Sequence, residues 1–424
     1  MVAYACDPSR GGEPGVAWNW AQALAERGHT IELLTRLTAG SRDQVHARLQ
    51  ALGEPGRRVH IHNVARDAPG GATLGIASTA RQMARELRGY SRWQRQALIY
   101  ARAHDLLSAD IVHHVSYGSL IGGAALHELG PPTIFGPVGG GQTAPWAFRR
   151  YLGRGGWAET VRSLLWVKLS AWRPSTHRSL RAAAMVLATN RDTVALARRC
   201  GARNVRLMLA DGTLDGFLRT DLPERRASSP TVLWVGQLVP RKAAVLALLA
   251  TAELRRTTHP TARLVIVGEG PQRPALERTR RALGLDDAVA FVGSVPHDTM
   301  RGVYDAADVL LFTSLRDSFG VQNLEAWARG LPSVCLDHQG IGDFAPPGVT
   351  RKVSLGDPAA LPMDLARALS LSLSDPQRQA HQAAAIQHAS TLTWKRKAAE
   401  IERAYMAVLE PEPMHSRSAM RSPS

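Results

Sequence analysis

A chain of 424 residues is too long for one ordinary hydrophobic core, and 45% hydrophobic with 21% charged residues is a globular composition suited to two domains. No run of about 18 apolar residues could span a bilayer. Cys6, Cys200 and Cys335 lie far apart without a CxxC pair, which argues against a disulfide framework or structural zinc and for a reducing cytoplasm.

Lys and Arg total 52 against 36 Asp and Glu, and the formal charge of +16 predicts attraction to phosphate, anionic lipid or nucleic acid without choosing among them. The opening MVAYACDPSRGG lacks the basic start and apolar run of a signal peptide and reads as a strand that begins almost at once. In the RGGEPGV turn that follows, Gly11, Gly12 and Gly15 let backbone amides approach an anion at a helix start, or simply make a tight turn. Val16, Trp20, Ala23 and Leu24 then share a helical face, with Gly28 just beyond its end. TIELLTR, ADIVHHV, PTIFGPV and AAMVLATN read as further strands. One of His113 and His114 is expected to face the carboxyl end of its strand. Gly139 and Gly140, in FGPVGGGQTAP, lie on the same rim, in a turn built for close ligand approach or for mobility.

Two stretches in this half are basic and aromatic, residues 80–104 and 148–173. In the second, Val161, Leu164, Leu165, Leu169 and Trp172 form an apolar stripe with Arg and Lys elsewhere. That pattern suits a helix on an anionic membrane surface, and equally a helix packed on its own domain with arginines in solvent.

DLPERRASSP (221–230) reads as a linker, after which the alternation restarts with TVLWVG, ARLVIVGEG, AVAFVG, DVLLFTS and PSVCLD. The fold class is therefore α/β, with two doubly wound, Rossmann-like domains at 1–220 and 231–392 facing across a cleft. Ligands bind such domains at the carboxyl ends of their strands. Lys242, in VGQLVPRKA, follows the first strand of the second half and is a mobile cation for phosphate or one of a solvated Arg-Lys pair. In SLRDSFGVQNLEAWARGLPS, Asp317 precedes a helix and Glu325 lies early in it, with the Phe319, Gly320 and Val321 amides between. The pair reads as a phosphate cradle with a carboxylate for a ribose diol, or as a cap and a partner for the helix dipole.

These residues together resemble the retaining, nucleotide-sugar-dependent glycosyltransferases of family 4, with the two-domain GT-B architecture, over about residues 2–408. VGQLVPRKA, VIVGEGPQRPALE and the E-x7-E-like stretch around Asp317 and Glu325 carry the resemblance most specifically. ACDPSRGGEPGVAWNWA and GPVGGGQTAP resemble a subgroup that acts in cell-surface glycan and secondary-metabolite synthesis. TLTWKRKAAEIERAYMAVL resembles the segment, here 393–410, whose helix returns to the first domain; 411–424 is an expected disordered tail.

The resemblance implies that Glu325 binds the ribose hydroxyls and Asp317 touches the transferred sugar. Lys242 would neutralise the diphosphate, aided by Gly12, Gly15 and the amides of Phe319 to Val321, with no metal or other cofactor required. It places Gln237 where the family has an arginine on the diphosphate, Asp317 in place of a glutamate, and Ala243 in place of a glycine. Val115 stands where the family's cleft histidine lies, so His114 would serve in its stead, with His113, Gly139 and Gly140 on the acceptor side. The implied donor is a UDP- or GDP-type sugar. The acceptor is a lipid-linked glycan, with peripheral contact to an anionic membrane, or a soluble small molecule. Nucleic acid is not an expected partner, since no binding motif lies beneath the charge. The competing reading is a degenerate relative that binds nucleotide or a partner without turnover.

Overall fold

The computed structural model describes residues 1–8, 12–37, 39–64, 80–116, 118–170, 172–223 and 229–410. Gly11, part of the linker (224–228) and the 411–424 tail lie outside the described residues.

The first domain holds seven strands: β1 (Val2–Ala3), β2 (Ile31–Thr35), β3 (Val59–Asn63), β4 (Val112–Ser116), β5 (Thr133–Val138), β6 (Met185–Ala188) and β7 (Val205–Leu207). They form one parallel sheet in the order β3-β2-β1-β4-β5-β6-β7. The second domain holds β8 (Thr231–Val235), β9 (Arg263–Val267), β10 (Val289–Gly293), β11 (Val309–Phe312), β12 (Ser333–Leu336) and β13 (Thr350–Val353), also parallel, in the order β10-β9-β8-β11-β12-β13.

Burial on both faces explains why the central strands are continuous apolar runs. Every residue of β5, β6, β11 and β12 is buried. Within β11, Val309 and Leu311 join the core on one side of the sheet while Leu310 and Phe312 join that on the other. The strands that reading by apolar runs passed over are β3, β7 and β13 (VHIHN, VRL and TRKV), and each is a sheet edge. An edge strand half open to solvent carries polar residues and loses the continuous apolar signal.

In both sheets the strand order reverses once, between β1 and β4 and between β8 and β11. A reversal of this kind opens a crevice at the carboxyl ends of the two strands. The chain passes between the domains at residues 208–217, ahead of the linker expected at 221–230, since Phe217 already packs in the second domain's core and Arg219 pairs with Asp305 there; it passes again just before the last helix, Trp394–Leu409. The passages are joined by a parallel bridge between Thr213 and Thr393, with Thr213 N–H donating to Leu392 O at 2.8 Å. The last helix lies on the first domain: Trp394 meets Trp20 edge-on at 5.3 Å, and Glu402 pairs with Arg27 and His29, which follow the end of the helix Glu13–Glu26.

Candidate donor-binding cleft

The turns that follow β1, β8 and β11 bring together residues far apart in sequence. After β8, a single helical turn (Pro240–Lys242) ends at Ala243, which sits at φ 47°. That left-handed geometry, where L-residues carry a cost of about 1 kcal/mol, turns the chain so that Lys242 lies across β11. Lys242 is buried, with Nζ over the Phe312 ring at 5.3 Å and hydrogen-bonded to Asp317.

Asp317 is held from several sides. Its Oδ2 accepts from Lys242, from Ser314 Oγ at 3.3 Å and from Arg241 Nη1 at 3.5 Å, while Oδ1 accepts from the Ser318 amide at 2.9 Å. Burial alone would raise its pKa, but the Lys242 and Arg241 charges outweigh burial and hold it down at about 2. Burial lowers the pKa of Lys242, and Asp317 opposes the fall. Lys242 is thus already paired with the carboxylate beside it.

Glu325, in the helix Gln322–Ala328, is clamped differently. Tyr304 OH donates to its Oε2 at 2.6 Å and His297 Nε2 lies 3.0 Å from its Oε1. The bond to Glu325 raises the His297 pKa. Each carboxylate oxygen keeps a lone pair for a further donor, so the group is oriented without being used up. Glu325, His297 and Val321 form one wall of a cavity whose opposite wall is Gly12, Gly15 and Asn19 of the first domain. Gly12 has φ 70°, and a side chain added there would meet nothing within 4 Å. Among the described residues, no acceptor takes the amides of Phe319, Gly320 or Val321. The Phe319 ring is core, packed edge-on against Trp327 and Phe344. Gln237 is exposed on the loop after β8 and, like Lys242 and Asp317, is not among the residues that line this cavity.

The two histidines of β4 do not reach this cavity, and the expectation of one at the cleft is corrected. Adjacent residues of a strand point to opposite faces, and helices cover both faces of this sheet. His114 is fully buried, its Nε2 2.6 Å from Tyr90 OH. His113 lies between Tyr405 OH and Gly136 O, each at 2.7 Å, and burial drives its pKa down to about 4. Its bond to Tyr405 ties the last helix to the first sheet. Gly139 does approach the second domain, where an added Cβ would lie 2.5 Å from Ser318 Oγ, whereas a Cβ at Gly140 would lie 2.6 Å from Ser119 Oγ of the first domain. Around them Gln142 Nε2 donates to Ser318 Oγ at 3.0 Å, Gln339 Nε2 donates to Thr143 O at 2.8 Å, and Arg316 pairs with Glu159.

Tyr304, His297, Asn19 and Asp211 are cavity or clamp residues that sequence reading did not single out. Each is a lone polar residue without a motif, and His297 and Tyr304 reach Glu325 from 28 and 21 positions away.

Two family models match the chain. "Glycosyl transferase 4-like domain" covers residues 11–211 and "Glycosyl transferases group 1" covers residues 223–389. D-inositol 3-phosphate glycosyltransferase of Nocardia farcinica is 34% identical over 187 residues, 42% of this chain and 41% of that protein. Alpha-D-kanosaminyltransferase of Streptomyces kanamyceticus is 29% identical over 211 residues, 47% of this chain and 54% of that protein. The matches thus span about half the length of these relatives or less. Among solved structures, sucrose-phosphate synthase from Thermosynechococcus elongatus superposes with a TM-score of 0.66 at 18% identity, covering 96% of this chain and 98% of that one. Anabaena HepE in complex with UDP and glucose gives 0.58 at 15% identity, with 95% and 99% covered. Likeness at these identities is one of fold.

Proposed function

Since the chain belongs to the family 4 glycosyltransferases of GT-B architecture, we propose that it moves a sugar from a nucleotide-diphosphate donor to an acceptor hydroxyl, with retention of configuration. The observation that carries this reading is the placement of Glu325, oriented by Tyr304 and His297, across one cavity from Gly12 and Gly15. A diol-binding carboxylate facing a glycine turn suits a ribose diphosphate. Lys242 and Arg241 stabilise the departing diphosphate electrostatically, which takes the place of a metal ion. The acceptor hydroxyl then attacks from the leaving-group side and gives its proton to the departing phosphate oxygen. That route keeps the anomeric configuration without a nucleophilic side chain, unlike hydrolysis by a carboxylate pair.

Relatives named for inositol phosphate and aminoglycoside chemistry support a small polyol acceptor. A lipid-linked acceptor is supported by the exposed Trp146, Trp157, Leu165 and Trp172 beside the arginines of the first domain. The side chains of Leu164 and Leu169, from the same expected stripe, lie outside the described residues, and no described helix is long and apolar enough to cross a membrane. Salt-sensitive sedimentation with anionic liposomes supports the lipid acceptor; its absence supports the soluble one.

Engagement of Lys242 by Asp317 favours a second reading, a degenerate relative that binds without turnover. A thermal-shift screen of UDP, GDP, ADP and dTDP sugars followed by donor-hydrolysis assays decides between them. The enzyme reading expects one donor class to stabilise the protein. It also expects slow release of free nucleotide diphosphate, lost in Glu325→Ala and Lys242→Ala and insensitive to chelators. Binding without release would establish the degenerate protein instead.

A further inference from the structure

Asp211 lies on the first passage between the domains, two residues before the Thr213 bridge, and lines the same cavity as Gly12, Gly15, Val321 and Glu325. Among the described residues its carboxylate has no hydrogen-bond or ion-pair partner. The charged groups that face it are Asp317, Glu325 and Lys242 of the second domain and Lys397 of the last helix. Both lysines are otherwise engaged. Lys242 is paired with Asp317, and Lys397 lies 3.5 Å from Glu400 with its ammonium over the Trp20 ring at 5.8 Å. Burial first, then the Asp317 charge, push the Asp211 carboxyl up to about 6, so it is ionised at neutral pH. The lining of a cavity that receives a diphosphate therefore includes a carboxylate with no direct partner among the described residues.

A carboxylate in that place weakens the binding of every nucleotide, but not equally. In a nucleotide sugar each phosphate is doubly substituted, by one ester and the shared anhydride oxygen, and carries one negative charge. After transfer, the terminal phosphate of the nucleoside diphosphate keeps only its anhydride link, and its second ionisation, near pH 6 as for a singly substituted phosphate, adds roughly one negative charge at neutral pH. We propose that Asp211 is a specificity-determining residue of the donor cavity, which discriminates against the nucleoside diphosphate product relative to the nucleotide-sugar donor. The inference rests on the glycosyltransferase reading above and adds a means of product release to it. Even at the permittivity of bulk water, one extra charge about 4 Å from a carboxylate corresponds to about a fivefold loss of affinity.

Calorimetric titration of the full chain with UDP and UDP-glucose at pH 7.5, with GDP and GDP-mannose in parallel, measures the discrimination. Asp211→Asn is expected to bind the nucleoside diphosphate about fivefold more tightly and the nucleotide sugar less than twofold more tightly. Asp211→Glu is expected to keep the wild-type ratio, and Asp211→Ser reads the same loss of charge should the amide variant fold poorly. An unchanged ratio in the neutral variants would overturn the proposal. So would weaker binding of both ligands, because the carboxylate would then be accepting a ligand hydroxyl or ammonium. Wild-type protein that binds neither these four ligands nor ADP, dTDP and their sugars would overturn the glycosyltransferase reading itself, and this inference with it. Normal wild-type binding with an unmoved ratio removes only the role given to Asp211.

Discussion

Asp317 and Lys242 illustrate how a buried ion pair can be costly to break and still be functional. Removing one partner of such a pair typically costs about 3–5 kcal/mol, because the other charge stays buried without compensation. Asp317→Asn should therefore lower stability at neutral pH by a few kcal/mol, less whatever Lys242 recovers by releasing its proton. The pH dependence has a definite sign. The folded pKa of about 2 lies below the ordinary aspartate value of 3.8, so the Asp317 contribution is full above pH 3.8 and is lost as pH falls through 2. Urea titrations at pH 7 and pH 3 should show the gap between wild type and variant narrowing in acid. A gap that stays constant would mean the carboxylate is not held down by its cations. The same variant frees Lys242 for an anion, so added nucleotide diphosphate should stabilise it more than it stabilises the wild type.

The last helix is the element on which the two-domain arrangement depends most visibly. Trp394 at its start is 9% exposed, meets Trp20 edge-on and lines the candidate cavity, while Tyr405 and Glu402 tie it to His113, Arg27 and His29. Trp394→Ala should cost about 3–5 kcal/mol in chemical denaturation. Lys395→Ala, on the exposed side of the same helix, should change stability by less than about 0.5 kcal/mol. Similar effects for the two variants would show that the helix is not anchored through the tryptophan. Elements differ in how plainly they are written in the chain. TIFGPV, VLLF and SVCL announce themselves because strands covered on both faces must be apolar throughout, whereas the edge strands VHIHN, VRL and TRKV do not. The site divides in a similar way. Lys242, Asp317 and Glu325 stand out in the sequence as candidates because they follow strands whose carboxyl ends bind ligands in such folds. His113 and His114 misled because a strand end on the page does not reveal the side chains above it, here Tyr90 and Tyr405. Asp211, Tyr304 and His297 left no local signal, since their roles arise only when separate segments meet.

At the scale of the whole molecule, the sheets place their reversal points towards one another and small residues set how near the domains come. The bare Cα of Gly139 faces Ser318 across the cleft, and polar bonds from Gln142 and Gln339 close the same seam. Gly139→Val should wedge this seam open, raise the radius of gyration in solution scattering and reduce donor turnover at least tenfold, as misplaced cleft groups generally do. Ser318→Gly in the same background should restore part of both. A wild-type scattering profile with undiminished turnover would show that Ser318 merely rotates aside.

The bridge between Thr213 and Thr393 has a mechanical consequence. Because both interdomain passages are lashed at one point, the halves are joined much as two covers are joined at a spine. Relative motion is then a swing about that spine, with little sliding or unwinding. Separations measured between the outer rims of the two sheets should change with the swing, while Asp211, beside the spine, should keep its place whether the molecule stands open or shut.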